Sequence, residues 1–394
     1  MRIETVEAFY LAMPEIRDIG DGSQDMALIR VRSDDGTTGW GECEASPLPT
    51  IAALVTPPSH SACHGVLDSV LGARIDQPAD IAALAGVVAE RGLDLLQTAH
   101  AWSGVEIALW DLLGRASGEP VWALLGHRAS HARLPYASQL FGDTPEETLA
   151  KARQVAAEGY RAAKFGWGPF GRGSVAADEA HLEAARAGLG GDVALLVDAG
   201  TVWGEDVDAA AARLPALEAV GTVWLEEPFV SGALAAYAGL ADRCRTVRLA
   251  AGEGAHNAQV ATHLIDYGRI GYVQVDTGRI GGIGPAAAVA RHGAARGVTY
   301  VNHTFTSQLA LAASLVPYAD VPDGALCEYP VEASPLATGL TAGRLRPGAD
   351  GLIRLPDQPG LGLELDLEAV RGYLQEVEIV VNGRCLYRTP ELVP

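Results

Sequence analysis

The stretch between residues 193 and 276 repeats one pattern, an apolar run that ends in a carboxylate. The runs are VALLVDAG (193–200), TVWLEEP (222–228), RLAAGE (248–253) and YVQVD (272–276), which carry Asp198, Glu226, Glu253 and Asp276. TYVNH (299–303) and ALCEYP (325–330) continue the series to His303 and Glu328, at intervals of 23 to 28 residues. One strand, one helix and two short loops need a segment of that length. A barrel of such units places its chemistry at the C-terminal strand ends, so we predict that these side chains converge on one mouth.

The same alternation begins upstream of this stretch, at Arg133. RLPYASQL (133–140) and YRAAKFGWG (160–168) are predicted strands, and TPEETLAKARQVAAEG (144–159) is the predicted helix between them. The second strand is expected to end around Lys164. With these segments the barrel has eight strands, and its last helix is missing or displaced. The predicted fold class is therefore α/β, a modified TIM barrel of (β/α)7β order over residues 126–360.

The first 125 residues predict a separate α+β domain, with strands first and helices after. Segments 2–11 and 26–41 resemble strands, and the second contains a hairpin turn at residues 34–36. From about residue 61 to 125, alanine and leucine recur at helical spacing. After Gly339 the chain is rich in proline and glycine, and we expect residues 361–394 to pack back on this domain.

Two segments of the first domain, residues 14–25 and 42–58, are predicted to be loops because they are rich in glycine, aspartate or proline. Each is either a solvated connection or part of a lid over the barrel mouth. The run GRIGGIG (278–284) lacks the spacing of a phosphate-binding loop. It predicts a tight turn from a strand into a helix.

Composition limits the possible partners and compartments. The 394 residues have a formal net charge of −20, which argues against binding to nucleic acid or to an anionic membrane surface. The chain has no apolar run of 18 residues and carries acids within its first seven positions, so neither a membrane span nor a signal peptide is expected. Five scattered cysteines without a CxxC pair indicate a reduced, cytoplasmic protein without structural zinc.

Three of the strand-end acids, Asp198, Glu226 and Glu253, are expected on adjacent strands. Converging carboxylates repel one another unless some are protonated or a cation lies between them. An all-oxygen set with room for substrate favours Mg²⁺ over zinc or copper. The alternative is that each acid caps its own loop.

Asp276 and His303 form the next pair, because a carboxylate bonded to one imidazole nitrogen raises the basicity of the other. We predict that His303 is a general base, against the alternative of a structural histidine.

Glu328 is expected to be a protonated acid that donates to the substrate carboxylate, or a structural acid beside Tyr329. Lys164, one of only two lysines, is predicted to neutralise a carboxylate or an enolate across the mouth, unless it is a surface residue.

At these residues the sequence resembles the enolase superfamily and, within it, the mandelate racemase subgroup. The resemblance covers nearly the whole chain and is carried by ALWDLLG (108–114), PVW (120–122), VDAG, WLEEP, AAGE, VQVD with RIGG, VNHT and CEYP. It implies a capping domain on the modified barrel and a homo-oligomer. It also implies one essential Mg²⁺ on Asp198, Glu226 and Glu253, a His303–Asp276 dyad and an acid at Glu328. The shared chemistry is removal of a proton α to a carboxylate, giving a metal-stabilised enediolate.

One departure from the family pattern bears on the reaction. Many members carry Lys-x-Lys at the end of the second barrel strand, whereas this chain reads Lys164-Phe165-Gly166. Racemisation needs proton transfer on both faces of a carbanion, and dehydration needs only one. The sequence therefore predicts a Mg²⁺-dependent dehydratase that converts an aldonate or aldarate to a 2-keto-3-deoxy acid. Gly200 stands where many relatives have asparagine, which puts the support of Asp198 in question.

Two alternatives remain open from the sequence. One is an epimerase or cycloisomerase that uses Lys164 as a second base beside His303. The other, from a different class, is a ligand-binding barrel without catalysis.

Trp167 and Trp203 either narrow the mouth or are packing residues. The 14–25 loop and residues 45–49 are expected to select the substrate, a small carboxylate.

Overall fold

The computed structural model describes residues 1–393, and its first part is an antiparallel sheet packed against helices. The strands are β1 (Ile3–Ala12), β2 (Asp25–Ser33) and β3 (Thr38–Glu44). The helices are α1 (Pro47–Val55), α2 (Leu67–Val70), α3 (Pro78–Arg91), α4 (Thr98–Ser117) and α5 (Val121–Leu124). Strand β2 pairs with β1 on one side and with β3 on the other, so the predicted hairpin at residues 34–36 is present.

The prediction that residues 42–58 form a loop is wrong. Strand β3 continues to Glu44, and α1 occupies most of the remaining segment. Two of the four prolines that suggested a loop, Pro47 and Pro49, lie in the first turn of α1, where a missing N–H costs no helical hydrogen bond. Ile51 and Leu54 then bury the inner face of the helix.

Helix α4 lies unusually close to the sheet because glycines face it. A Cβ atom at Gly39 would lie 2.2 Å from the carbonyl oxygen of Ala108, and one at Gly41 would lie 2.2 Å from that of Gly104. Glycine at these positions lets the backbone of β3 contact the backbone of the helix. This contact fixes the orientation of β3, whose last residues extend toward the barrel.

The second part of the chain is a barrel of eight parallel strands. The strands are β4 (Leu134–Leu140), β5 (Ala162–Gly166), β6 (Ala194–Asp198), β7 (Thr222–Glu226), β8 (Arg248–Ala251), β9 (Tyr272–Asp276), β10 (Thr299–His303) and β11 (Leu326–Pro330). The helices between them are α6 (Pro145–Ala157), α7 (Val175–Leu189), α8 (Val207–Ala211), α9 (Leu214–Ala219), α10 (Leu234–Ala241), α11 (Ala258–Tyr267), α12 (Ile283–Ala294) and α13 (Gln308–Leu315). The helix that comes next after β11 is α14 (Pro335–Gly339), which has only five residues. The predicted fold class is confirmed.

Strands β10 and β11 are the two ends of the sheet order, and side chains join them. The Asn302 Oδ1 atom accepts a hydrogen bond from the Glu328 N–H at 3.0 Å. The Thr304 N–H donates in turn to Glu328 Oε2 at 2.8 Å. These bonds close the barrel at this seam and fix Glu328 in its interior, where it has no exposed surface.

The C-terminal segment returns to the first sheet. It contains α15 (Leu367–Tyr373), β12 (Leu374–Gln375), β13 (Glu378–Val381) and β14 (Arg384–Arg388). Strand β12 pairs with β1, and the Tyr387 hydroxyl donates to the Ala8 carbonyl oxygen at 2.6 Å. Within the described residues, none of the helices has the length and apolar character needed to cross a bilayer.

Buried carboxylates of the first domain hold the barrel in place. Glu106 on α4 accepts hydrogen bonds from the N–H groups of Ile283 and Gly284, at 2.7 and 2.8 Å, in the first turn of α12. A carboxylate at a helix N-terminus satisfies free N–H groups and complements the helix dipole. Glu42 on β3 accepts from Thr306 and Ser307, just beyond β10. The domain interface is therefore polar and specific at the barrel mouth.

The contact between β3 and α4 makes a stability prediction. Gly41→Ala should lower the free energy of unfolding by about 3 kcal/mol, because the added methyl group forces backbone to separate from backbone. Urea denaturation followed by circular dichroism measures the effect. The matched control is Gly86→Ala on α3, where a Cβ atom meets nothing within 4 Å. It should be neutral or stabilise the protein by up to about 1 kcal/mol. Equal effects of the two substitutions would contradict this account.

Candidate active site

A cavity of about 220 Å³ lies at the C-terminal ends of the barrel strands. Its walls come from three sources: barrel strands and the residues after them, the end of β3, and residues 19–22 of the 14–25 loop. The polar side chains predicted at the strand ends converge here, as the geometry of a parallel barrel requires.

Three carboxylates form a cluster on one side of the cavity. Asp198 and Glu226 are the last residues of β6 and β7, and Glu253 follows β8 by two residues. Oxygen atoms of all three lie within 4.8 Å of one another. Burial, together with the charge of Glu226, raises the pKa of Asp198 well above its ordinary value. Burial also raises the pKa of Glu226, whereas His303 and Arg279 outweigh burial at Glu253 and lower its pKa, so positive charge is insufficient at Asp198 and Glu226.

The donor set of this cluster fits a hard divalent cation. All three groups offer oxygen, and the cavity borders Asp198 and Glu253, which leaves space for substrate or water. Mg²⁺ takes one or a few carboxylates and keeps its other positions for water or substrate oxygens. The residues present thus suit the metal that the sequence predicts.

His303 and Asp276 form a hydrogen-bonded dyad beside the cluster. The His303 Nδ1 atom lies 2.8 Å from Asp276 Oδ2, and its Nε2 atom lies 3.2 Å from Glu253 Oε2. The bond to Asp276 fixes the ring, so Nε2 faces the carboxylate cluster. Burial opposes a charge on His303, but Glu253, Glu328 and Glu44 outweigh it and raise its pKa well above the usual value. A cation on Glu253 would reduce that attraction.

Lys164 lies in the middle of β5 rather than at its end, so this part of the prediction is wrong. Its side chain points into the barrel, where Nζ lies 2.7 Å from both Glu226 Oε1 and Glu328 Oε1. Asp198 Oδ2 lies 3.6 Å from the same nitrogen. Burial lowers the pKa of Lys164, but Glu226 and Glu328 outweigh burial and raise it well above its ordinary value. Lys164 is the cation that these acids share.

Glu328 lies behind Lys164. Both of its oxygens accept hydrogen bonds, Oε1 from the Ser138 hydroxyl at 2.9 Å and Oε2 from the Thr304 N–H. Both oxygens of Glu328 therefore act as hydrogen-bond acceptors. This arrangement suits an acid that holds Lys164 in its position. The role expected from the sequence, donation to the substrate, would need a rearrangement of these bonds.

Two charged residues of the site were not expected from the sequence. Glu44, the last residue of β3, forms an ion pair with Arg279 at 2.7 Å. Its second oxygen is buried without a hydrogen-bond partner, 3.6 Å from His303 Nδ1. The sequence did contain an indication that Glu44 is functional. Glu42 and Glu44 lie two positions apart, and so on one face, of a strand whose other residues are mostly apolar or small. Arg279 belongs to the run at residues 278–284, which the sequence analysis interpreted only as a turn. The run does form a turn, and it also supplies this charged side chain.

Trp167 contributes its ring to the cavity wall, whereas Trp203 is a packing residue. Trp203 contacts Phe170 edge-on, with 6.1 Å between ring centroids. The indole of Trp167 lies against two glycines: a Cβ atom at Gly20 would meet its ring at 2.8 Å, and so would one at Gly200. The Gly200 N–H also donates to Asp198 Oδ1 at 2.8 Å. The glycine thus supports Asp198 through its backbone and makes room for the tryptophan.

The 14–25 loop covers the cavity, as the lid hypothesis expects. Gly20 contacts Trp167 on one side, and Gly22 lies near Glu44 and Phe305 on the other. Two hydrogen bonds tie the loop to the barrel, from the Ser334 N–H to Ser23 Oγ at 2.7 Å and from Ser334 Oγ to the Ser23 carbonyl at 2.6 Å. The loop is therefore held over the mouth.

Comparison with known families agrees with the fold. Residues 147–370 match the family described as enolase C-terminal domain-like. Residues 18–126 match the N-terminal domain of the mandelate racemase and muconate lactonizing enzymes. The chain therefore belongs to the enolase superfamily, in the mandelate racemase and muconate lactonizing enzyme group.

Individual relatives catalyse different reactions. The chain is 28% identical over 371 residues to the D-galactarolactone cycloisomerase of Agrobacterium fabrum, covering 87% of this chain and 89% of the relative. It is 29% identical over 357 residues to the D-galactonate dehydratase of Xanthomonas axonopodis pv. citri, covering 87% and 90%. A crystal structure from Rhodobacter sphaeroides, described as a predicted mandelate racemase, superposes with a TM-score of 0.94. It is 58% identical and covers 99% of this chain and 100% of its own.

The carboxylate cluster makes a metal-binding prediction. Glu253→Gln should weaken Mg²⁺ binding by more than about tenfold, since even the outer partners of a metal site contribute that much. Isothermal titration calorimetry on the purified protein measures the dissociation constant. Glu183→Gln, an exposed acid on α7, is the control and should bind Mg²⁺ like the wild type. Unchanged affinity in Glu253→Gln would remove this residue from the site.

The contact between Gly200 and Trp167 makes a second prediction. Gly200→Asn should lower the free energy of unfolding by about 2 kcal/mol, because its side chain overlaps the indole. Combined with Trp167→Ala, the same substitution should cost less than about 1 kcal/mol, since the space is then open. Urea denaturation of the four proteins in this double-mutant cycle gives the coupling energy. A coupling energy near zero would show that the tryptophan does not exclude asparagine.

Proposed function

We propose that this protein removes the proton α to the carboxylate of a sugar acid and then eliminates the β-hydroxyl group as water, giving a 2-keto-3-deoxy acid. The observation that carries the proposal is one oriented base, His303, beside a carboxylate cluster that suits Mg²⁺. The enolase superfamily membership and the similarity to D-galactonate dehydratase support the same class of reaction.

A bound Mg²⁺ would supply positive charge that makes the α-proton of the substrate acidic. Asp198, Glu226 and Glu253 would hold it. His303 Nε2 takes the α-proton while Asp276 stabilises the imidazolium through Nδ1. The same imidazolium returns that proton to the departing β-hydroxyl, which leaves as water. The enol that remains tautomerises to the keto acid, so the reaction is balanced by the loss of one water molecule.

Lys164 favours a reaction that uses one base. Its pKa is held well above the ordinary value by Glu226 and Glu328, so it stays a cation near pH 7. With Mg²⁺ bound, Glu328 would still raise the pKa of Lys164, since it is not one of the three proposed metal ligands. An ammonium stabilises negative charge on the substrate but accepts no proton. Racemisation in both directions would need Lys164 to lose its proton whenever it acts as the base.

Cycloisomerisation is the second candidate, favoured by the similarity to D-galactarolactone cycloisomerase. Proton removal by His303 would be followed by departure of a ring oxygen in place of a hydroxyl group. In a two-base form of this reaction, Lys164 would deliver the second proton.

The dehydration proposal is tested with a panel of aldonates and aldarates in the presence of Mg²⁺, assayed for 2-keto acid release. We expect turnover of at least one compound, and His303→Asn should lower it by about 10²- to 10⁴-fold. Circular dichroism and Mg²⁺ titration of His303→Asn check that the variant folds and binds metal. No keto acid from any compound would contradict dehydration.

Exchange of the α-proton with D₂O separates the candidates. His303→Asn should abolish exchange, whereas Lys164→Ala should slow it without changing the face of attack. If each variant blocked exchange from one stereochemical face only, a two-base isomerisation would be supported. A protein that binds sugar acids but exchanges none of their α-protons would be a binding protein.

A further inference from the structure

Each cationic group that lines the cavity already faces a carboxylate of the protein. Among the described lining residues these groups are Lys164, Arg279 and His303. Lys164 lies between Glu226 and Glu328, and His303 is bonded to Asp276. One substrate carboxylate can be neutralised at this end, because a cation on the carboxylate cluster would free Lys164 from Glu226.

Arg279 does not offer a second anion site. Its Nη2 atom lies 2.7 Å from Glu44 Oε1, and its Nη1 atom donates to the Glu253 carbonyl oxygen at 3.2 Å. Glu253 Oε1 lies 3.9 Å from Nη1. Glu44 is nearly completely buried, so separating this pair would leave an unpaired buried carboxylate. The guanidinium is thus committed to Glu44.

The lid adds an acidic and apolar wall to the cavity. The lid presents Asp21 between Gly20 and Gly22, and glycine at these positions brings the chain close to Trp167 and Glu44. Asp21 Oδ1 accepts from the N–H and the hydroxyl of Ser23, at 2.8 and 2.5 Å. Its Oδ2 atom has no partner among the hydrogen bonds of the described residues. A carboxylate held in this way accepts a hydrogen bond from a hydroxyl group and repels another carboxylate.

Four further side chains that line the cavity are apolar. Ile19 belongs to the lid, Leu140 ends β4, Phe305 follows β10, and Trp167 follows β5. A second substrate carboxylate beside the lid would lose water and would meet only Arg279, which Glu44 already neutralises, so its binding is unfavourable.

We propose that the substrate is a monocarboxylate of the aldonate class, with its hydroxylated end against Asp21, and that aldarates are rejected because of their second carboxylate. This assignment rests on the function proposed above. It narrows the substrate from sugar acids in general to those whose far end is a neutral hydroxyl group.

The test compares matched pairs that differ only at the far end, D-gluconate with D-glucarate and D-galactonate with galactarate. Calorimetric titration uses the Mg²⁺-loaded His303→Asn variant, so that binding is measured without turnover. In at least one pair the aldonate should bind at least about tenfold more tightly than the aldarate, because like charges oppose each other in the second complex.

Asp21→Asn, added to the same variant, should reduce that preference at least about fivefold by removing the repelling charge. Asp18→Asn is the matched control, since Asp18 is an exposed residue of the same loop that does not line the cavity. It should leave the preference unchanged. The assignment would be overturned if aldarates bound as tightly as aldonates or more tightly. It would also be overturned if Asp21→Asn left the preference unchanged, or if neither aldonate bound. An aldonate preference without keto acid release by the wild type would support it and contradict dehydration.

Discussion

The accumulation of negative charge in the buried barrel mouth governs this structure. Oxygen atoms of Asp198, Glu226 and Glu253 lie within 4.8 Å of one another, and the three side chains are largely buried. Burying several carboxylates without partners would be prohibitive, because each would lose its hydration. Lys164 supplies one compensating charge, held by Glu226 and Glu328. What remains uncompensated is a set of oxygen ligands that suits a divalent cation.

The first domain contributes to the same charge balance. Glu42 and Glu106 attach it to the barrel through N–H and hydroxyl donors at the mouth. Glu44 extends further and binds Arg279 next to the His303–Asp276 dyad. A barrel without this domain would leave Arg279 without its partner Glu44 and would lack the lid over the cavity. The domain is therefore part of the active site as well as its cover.

The barrel and its strand-end acids could be predicted because both depend on local patterns. Apolar runs of strand length, recurring at the interval of a strand–helix unit, fix the positions of Asp198, Glu226 and Asp276 within the fold. Contacts between distant segments could not be predicted in the same way. The pairing of Glu44 with Arg279 joins residues 235 positions apart, and only the orientation of β3 by its glycines brings them together. Helix α1 was missed because its prolines lie where a helix tolerates them.

The indole of Trp167 lies between two glycines that are 180 positions apart in the sequence, one in the lid and one beside a proposed metal ligand. Positions 20, 167 and 200 therefore form one steric unit. During evolution, a side chain could enter position 20 or 200 only after the tryptophan had been replaced by a smaller residue. A change at any one position alone produces either an overlap or a void. The three positions should thus diverge together among descendants of this protein, and a new substrate preference at this wall requires coordinated replacement.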